Sequence, residues 1–358
     1  MRASVWFLGM SAFAALTAAL WLGCGDDPAG PGGGGGAGTG TSTGSGASGG
    51  SGTTPTCGTD SPAALGACVE TSRYVADLTA LEGPRSSGDP LHQAARDLCA
   101  SRFTEHGFQV EMHDYGSGVN VIGVRPGASD QRILVSAHYD GVPGCAAADD
   151  NASGVAGLLE TARILGSAPA FDKTLVVACW DEEELGLVGS RAYAQRASQI
   201  GEAIAGHYVF EMIGYFDDSP GAQSLPFGFE LVFPEEAKIV TDNQSRGDFL
   251  AIIGDDSFAT GIERLDHYCD VFGLSGLGLT LSADQKNDPL YGDLQRSDHA
   301  PFWEQGFPAL HMTDTSEFRY GAYHCGDGED VKENLDHGFA TKVIQATVAA
   351  TAELLGPS

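Results

Sequence analysis

The fold is decided by Ile133-Leu-Val-Ser-Ala-His-Tyr-Asp140 and, after a short loop, Ala148-Asp-Asp-Asn-Ala-Ser-Gly154. The apolar run predicts a buried strand that ends in His138 and Asp140, which lie two residues apart and therefore on one face. A carboxylate there can hold one imidazole nitrogen and leave the other free for a metal ion. The second segment predicts adjacent acids at the start of a helix over 152–165, where the helix dipole favours them. Each half alone fits an ordinary strand or capped helix; together they favour half of a metal site.

The first 56 residues are not predicted to belong to the folded domain. The apolar run from Val5 to Leu22 ends at Gly23-Cys24, which is typical of a lipoprotein signal peptide over residues 1–23. A single transmembrane anchor is the alternative, since the run approaches the length of a bilayer span. We expect the protein to be exported and to be held at the bacterial cell envelope by a lipid on Cys24, facing the periplasm or the cell surface. Release of the protein from the envelope is a further option. Residues 24–56 then form a flexible linker.

Composition excludes several classes of partner. The formal net charge is −29, and basic residues are clustered nowhere, which argues against nucleic acid and anionic membranes as partners. The membrane is therefore expected to be reached only through the lipid on Cys24. Residues 57–358 alternate strand-like and helical segments, and this alternation predicts one α/β domain.

Further acids and histidines follow predicted strands. The buried strand 174–180 ends in Asp181-Glu-Glu-Glu184. Such a run is ordinarily a solvated loop, but ligands gather at the carboxyl ends of strands in open α/β sheets. The strand 208–210 is followed by Glu211 among apolar neighbours, where a carboxylate is rarely buried without a partner. His324, in a polar loop, carries no signal by itself.

The remaining elements are predicted from periodicity and turn residues. Helices are expected over 61–81, 90–106, 187–199 and 333–355, strands over 108–114, 119–124 and 308–312, and a short helix beginning in 297–302.

Five motifs occur in an order that resembles the co-catalytic dinuclear zinc aminopeptidase family of metallopeptidase clan MH, which includes the secreted bacterial leucine aminopeptidases. The motifs are His138-Tyr-Asp, Ala148-Asp-Asp-Asn-Ala-Ser-Gly, Glu183-Glu-Leu-Gly-Leu-Val-Gly-Ser, Glu211-Met-Ile-Gly and Ser297-Asp-His-Ala-Pro-Phe-Trp. The likeness spans about residues 80–356. It implies the zinc exopeptidase fold, a single domain whose mixed, mostly parallel, twisted sheet has helices on both faces.

The resemblance also implies a set of metal ligands for two zinc ions per chain. Asp150 would bridge the ions; the other expected ligands are His138 and Glu211 for one ion, and Glu184 and His324 for the other. Nitrogen and oxygen ligands suit zinc, and manganese or cobalt fits the same set. Many members have aspartate where this chain has Glu211, and 216–244 has no clear counterpart, so it is either a substrate-shaping insertion or a surface excursion.

Three catalytic roles carry over in the same way. Glu183 would be the general base, Asp140 the carboxylate behind His138, and Tyr323 a hydrogen-bond donor to the developing oxyanion. We therefore predict a metal-dependent aminopeptidase that acts as a monomer on peptides with a free N-terminus. The alternatives are a glutaminyl-cyclase-like acyltransferase with a single zinc and a binding ectodomain that has lost its chemistry. A complete set of ligands and base favours the hydrolase.

Cysteine pairing stays open at the level of sequence. Seven cysteines remain besides Cys24, so they cannot all pair, and none of their spacings is that of a four-cysteine zinc motif. Export favours disulfides, for which we consider Cys145–Cys325, beside two expected ligands, and also Cys57–Cys68 or Cys68–Cys99. Cys179 lies in an apolar strand and is the expected free thiol.

Overall fold

The computed structural model describes residues 55–357. The predicted signal peptide, the lipid on Cys24 and the linker up to residue 54 lie outside the described residues. Within the described part, no helix combines the length and the apolar character needed to cross a bilayer.

A mixed sheet of eight strands runs through the described residues in the order β1-β2-β4-β3-β5-β8-β6-β7. The strands are β1 Gln109–Asp114, β2 Val119–Arg125, β3 Ser129–His138, β4 Lys173–Trp180, β5 Ile204–Phe210, β6 Phe249–Asp255, β7 Ser275–Leu281 and β8 Leu310–Thr313. The central strands β4, β3, β5 and β8 are parallel neighbours, as are β6 and β7. The pairs β1–β2, β2–β4 and β6–β8 are antiparallel. The predicted mixed, mostly parallel sheet is confirmed.

Helices cover both faces of this sheet. They are α1 Pro62–Gly66, α2 Thr71–Leu81, α3 Pro90–Glu105, α4 Gly154–Ser167, α5 Val188–Ile200, α6 Phe229–Val232, α7 Pro234–Asp242, α8 Ala259–Phe272, α9 Ala300–Glu304 and α10 His337–Leu355. In β3, Ile133 and Val135 pack into one core with α4 and α10, while Leu134 packs into the other. Burial on both faces explains why the run around β3 is continuously apolar.

The predicted helix over 61–81 is two helices, α1 and α2. The break follows Gly66, where a Cβ would lie only 2.5 Å from the Gln345 carbonyl oxygen of α10. Glycine thus allows α1 to approach α10 closely, and Cys68 then leaves the helical path to bond Cys57. The segment β6, α8 and β7 was not predicted from the sequence. Glycines at 276 and 278 dilute the strand signal of β7.

Three disulfides connect the described residues: Cys57–Cys68, Cys99–Cys179 and Cys145–Cys325. Two of them are among the predicted pairings. The alternative pairing Cys68–Cys99 and the free thiol at Cys179 are both wrong, because α3 packs across β2 and β4 and brings Cys99 to Cys179. The free cysteine of the described part is the buried Cys269.

Candidate metal centre and adjoining cavity

The five expected ligands meet at one edge of the sheet. β3 ends in His138, Glu184 follows β4, and Glu211 follows β5. Asp150 lies in the turn before α4, and His324 lies in the loop after β8. The parallel strands β4, β3, β5 and β8 all end at this edge, which is where sheets of this kind bind ligands.

Asp150 lies between the two histidines. Its Oδ1 is 3.3 Å from His138 Nε2, and its Oδ2 is 3.1 Å from His324 Nε2. Glu211 Oε1 is 3.5 Å from His138 Nε2, and Glu184 Oε2 is 3.2 Å from His324 Nε2. The donor atoms within each group lie within 4.8 Å of one another. We call His138, Asp150 and Glu211 the buried trio, and Asp150, Glu184 and His324 the loop trio.

Both trios have the chemistry expected of a cation site. Glu184 Oε1 is buried and has no hydrogen-bond partner among the described residues. A buried carboxylate oxygen left in that state is costly unless a cation meets it. Imidazole nitrogen and carboxylate oxygen are the ligands that zinc commonly takes. The residues therefore fit a pair of metal ions that share Asp150.

The electrostatics of the trios agree with this fit. Burial disfavours a charged His138, but four carboxylates together outweigh it and raise the pKa of His138 well above its usual value; they belong to Glu211, Glu183, Asp140 and Asp150. Burial also opposes charge on His324, whose pKa is nevertheless raised to about 10 by Asp150 and Glu184. The negative field that retains these protons also attracts a divalent cation, whose binding releases them.

Asp140 connects the end of β3 to the acidic loop after β4. Its Oδ1 is 3.3 Å from His138 Nδ1. Its two oxygens also accept hydrogen bonds from the backbone N–H groups of Glu183 and Glu184, each at 3.1 Å. One carboxylate therefore contacts the imidazole and fixes the loop that carries the next two acids.

The four consecutive acids at 181–184 are not equivalent solvated charges. Asp181 is a structural acid that accepts a hydrogen bond from the Tyr139 hydroxyl at 2.8 Å. Glu182 accepts one from the Ser117 hydroxyl at 2.6 Å. Glu183 instead lines a cavity. Burial, followed by Glu211 and Asp298, raises the pKa of Glu183 well above its usual value, although His138 opposes the shift.

Sequence reasoning missed Asp330, which holds the turn around Asp150. The Asp330 carboxylate accepts the backbone N–H groups of Asp149 at 2.9 Å and Asp150 at 3.1 Å. The next residue, Asn151, donates its amide to the Phe210 carbonyl oxygen at 2.9 Å, and the peptide bond between Asp150 and Asn151 is cis. Asp330 stands in a polar, acidic loop, where the sequence carries no signal that separates it from its neighbours.

A buried arginine, Arg85, was missed as well. Its guanidinium donates to the carbonyl oxygens of Tyr139 at 3.0 Å and Ala147 at 2.8 Å, and also to that of Leu81 at the end of α2. Burial lowers the pKa of Arg85 to about 10, although Asp150 and other acids oppose the shift. Arg85 thus ties α2 to both ends of the loop between β3 and the Asp150 turn.

Tyr323, the expected oxyanion donor, stacks on His324 with ring centroids 3.8 Å apart. Its hydroxyl accepts a hydrogen bond from Arg296 Nη2 at 3.0 Å. A guanidinium only donates, so the phenolic proton of Tyr323 is left for another acceptor. Arg296 is held in turn by Glu317 and by Asp293.

A cavity adjoins the trios and extends over β6, β7 and β8. Its floor consists of strand residues: Phe249, Ala251, Ile253, Leu277, Leu279, His311 and Thr313. Leu225 and Phe229 form part of its wall, and Asp150, Glu183 and Glu211 lie at the end next to the trios. The segment 216–244, which had no clear family counterpart, therefore shapes this cavity in part.

This fold and this arrangement of donors are those expected of a metal-dependent enzyme. The sequence profile of Peptidase family M28 matches residues 120–233, which include four of the five expected ligands and Glu183. The chain is also 30% identical over 299 residues to the uncharacterized protein YfbL of Escherichia coli strain K12, covering 78% of this chain and 85% of YfbL. The chain belongs to peptidase family M28 and is a metallopeptidase. Family membership implies zinc, and together with its aminopeptidase relatives it supports a metal-dependent exopeptidase.

Other relatives are named for an activity. The probable lipoprotein aminopeptidase LpqL of Mycobacterium tuberculosis is 40% identical over 114 residues, which are 30% of this chain and 23% of LpqL. Among solved structures, the LapA aminopeptidase of Legionella pneumophila aligns over 82% of this chain and 74% of its own, with a TM-score of 0.63 and 18% identity. A Fimbriiglobus ruber glutaminyl cyclase aligns over 80% and 95%, with a TM-score of 0.56 and 16% identity. At these identities, the two structures show a shared fold alone.

Proposed function

We propose that the chain is a two-zinc aminopeptidase that hydrolyses the first peptide bond of peptides with a free N-terminus. One observation carries the proposal: two donor trios share Asp150 beside a cavity that also contains Glu183. The buried trio would hold one ion and the loop trio the other. When bound, zinc lowers the pKa of water from about 15.7 towards about 7 and polarises a carbonyl oxygen.

We assign proton transfer to Glu183. Its carboxylate lines the cavity beside Asp150 and Glu211 without being a member of either trio. A base whose pKa is raised by burial can take a proton on its Oε atom and return it to the leaving amine nitrogen. Proton transfer of this kind typically contributes 10²- to 10⁴-fold to a rate. Asp140 supports the step indirectly, because it fixes both His138 and the backbone N–H of Glu183.

We assign carbonyl stabilisation to Tyr323, with Arg296 as its positioning residue. The hydrogen bond from Arg296 to the Tyr323 oxygen directs the phenolic proton elsewhere and favours its donation to a substrate oxygen. The salt bridge from Arg296 to Glu317 limits its reorientation.

The cavity suggests how the first residue of a peptide binds. It begins at Asp150, Glu183 and Glu211 and continues over an apolar floor of strand residues. A substrate whose first carbonyl lies at the trios can direct its first side chain into this cavity. The aminopeptidase name of LpqL supports cleavage at that position.

We also propose that the chain is exported and held at the cell envelope by a lipid on Cys24, and that it acts as a monomer. The pattern of residues 1–24 and the lipoprotein name of LpqL support the anchor. Residues 24–56 would be the tether, and residues 57–358 the peptidase domain.

A glutaminyl-cyclase-like acyltransferase is the second candidate, because that fold also aligns with this chain. It would need one zinc ion, and the complete loop trio favours the two-metal peptidase. A binding ectodomain without chemistry is disfavoured, since both trios and Glu183 are present.

The direct test is digestion of matched peptides with free, acetylated and N-terminal glutamine ends by purified protein, read by mass spectrometry. We expect stepwise loss of residues from the free peptides and no change in the acetylated ones. Loss of ammonia from N-terminal glutamine without hydrolysis would identify the cyclase instead, and internal cleavage of the acetylated peptides would contradict an exopeptidase.

A further inference from the structure

His311 is a polar side chain on the otherwise largely apolar floor of the cavity. It lies on β8 opposite Ile253 of β6, and Thr313 lies opposite Ala251. Side chains alternate along a strand, so His311 and Thr313 face the cavity while Leu310 and Met312 pack into the core on the other face of the sheet. His311 lies two residues deeper than Thr313, farther from the strand ends that carry the trios.

The hydrogen bonds of two neighbouring histidines fix the tautomer of His311. His299 Nε2 is 3.0 Å from the Leu294 carbonyl oxygen, which can only accept, so this nitrogen carries a proton. The same His299 Nε2 is 3.2 Å from His311 Nδ1. Because His299 Nε2 is the donor, His311 Nδ1 must be the acceptor and carry no proton. The proton of a neutral His311 is therefore on Nε2.

Both rings are neutral near physiological pH. Burial lowers the pKa of His299 to about 3. Burial, and then His299 and Arg296, lowers the pKa of His311 well below its usual value. The Nδ1 atom of His299, which carries no proton in this tautomer, is buried without a partner among the described residues.

Several other polar side chains of the cavity have hydrogen-bond partners. The side chains of Gln223 and Thr315 are hydrogen-bonded to each other, and the Ser297 hydroxyl donates a hydrogen bond to Glu211. The Thr313 hydroxyl accepts a hydrogen bond from the Thr315 backbone N–H. His311 Nε2 has no hydrogen-bond partner among the described residues. Its N–H is thus a donor of fixed direction on a floor whose other residues, apart from Thr313, are aliphatic or aromatic.

We propose that His311 is a specificity-determining residue that donates a hydrogen bond to the far end of the substrate's first side chain. The inference rests on the proposed aminopeptidase function. The side chain it fits has a large apolar body and an oxygen acceptor at its tip, as tyrosine has. Phenylalanine would fill the same walls but leave the His311 N–H unpaired and desolvated.

The test compares tyrosine and phenylalanine as the first residue of otherwise identical amide substrates. We expect kcat/KM to be about tenfold higher for tyrosine in the native protein, as one hydrogen bond in a desolvated pocket provides. His311→Leu should reduce the tyrosine-to-phenylalanine ratio to about one, and His311→Gln, which keeps a donor, should restore part of it. His267, which is exposed on α8, is the matched control, and His267→Leu should keep the native ratio.

A binding measurement separates this inference from the proposed function. Calorimetry measures the affinities of the Glu183→Gln protein for tyrosine amide and phenylalanine amide, and so reports the same preference without turnover. This measurement does not depend on whether a His311 variant folds. Equal affinity for the two amides, or a ratio that His311→Leu leaves unchanged, would overturn the role of His311 while peptides are still hydrolysed. Absence of hydrolysis for every peptide, with the amide preference intact, would overturn the proposed function alone.

Discussion

The buried trio and the loop trio share Asp150 but are built from different kinds of structure. His138 is the last residue of a central strand, and 1% of its side chain is exposed. His324 stands in a loop with a φ of 52°, and 38% of its side chain is exposed. A strand end is held by the whole sheet, whereas a loop residue in the left-handed region needs local support. We therefore expect the buried trio to retain its ion more firmly than the loop trio.

Local support for the loop trio comes from a covalent bond and from hydrogen bonds. Cys325, the residue after His324, is bonded to Cys145, in the loop that precedes Asp150. Asp330 accepts backbone N–H groups from the Asp150 turn. The two sides of the loop trio are thus tied together behind the ligands, although they lie far apart in sequence.

Replacement of the shared residue should have the largest effect. Asp150→Ala removes an oxygen donor from each trio, so we expect both ions and all measurable hydrolysis to be lost. Asp150→Asn keeps the shape and removes the charge, and it should weaken both sites. Elemental analysis after gel filtration gives the metal content. Retention of two tightly bound ions by the alanine variant would show that Asp150 is not the shared ligand.

Glu183→Gln should stop turnover but leave both trios intact. Because Glu183 is assigned to proton transfer alone, we expect kcat to fall by about 10²- to 10⁴-fold with the metal content unchanged. Glu182→Gln is the matched control, since Glu182 has a structural hydrogen bond to Ser117 that glutamine can still accept. Equal losses in the two variants, or loss of metal from Glu183→Gln, would contradict the assigned roles.

Removal of the Cys145–Cys325 bond should affect the loop trio selectively. We expect the double serine variant to lose one ion in dilute chelator and to keep the other. Its closed span of 180 residues predicts a decrease of about 5 kcal/mol in the free energy of unfolding. The Cys57–Cys68 pair, 11 residues apart, is the control, with a decrease of about 3 kcal/mol and no change in metal retention. Equal metal retention by the two double variants would show that the Cys145–Cys325 bond does not support the loop trio.

The smallest expected effect concerns Arg296. Arg296→Lys keeps the charge but not the planar guanidinium that donates to Tyr323. We expect kcat to fall about tenfold with little change in KM, because Tyr323 is assigned to the developing oxyanion. Tyr323→Phe should lower kcat at least as much, and the double variant should add little. Additive losses would indicate that Arg296 acts independently of Tyr323.

The contrast between ligands at strand ends and ligands in loops also explains which site residues could be predicted from the sequence. His138 ends a strand, and Glu183 and Glu184 follow one; both strands have visible apolar runs, so the convergence of these residues at one sheet edge could be anticipated. Asp150 could be anticipated because it precedes a visible helix. His324 was assigned only through the family resemblance, because its loop has no periodicity. Asp330 and Arg85 act through backbone groups, and the cavity depends on β6 and β7, which the sequence analysis did not predict. These features arise from tertiary packing, which single-sequence periodicity does not encode.

The central claim is best tested by counting zinc during stepwise removal with a chelator while hydrolysis of a free peptide is followed on the same samples. We predict two zinc ions per fully active chain, released in two separate steps, with activity lost in the first step as the loop trio empties. A fully active chain that binds a single zinc ion would contradict it.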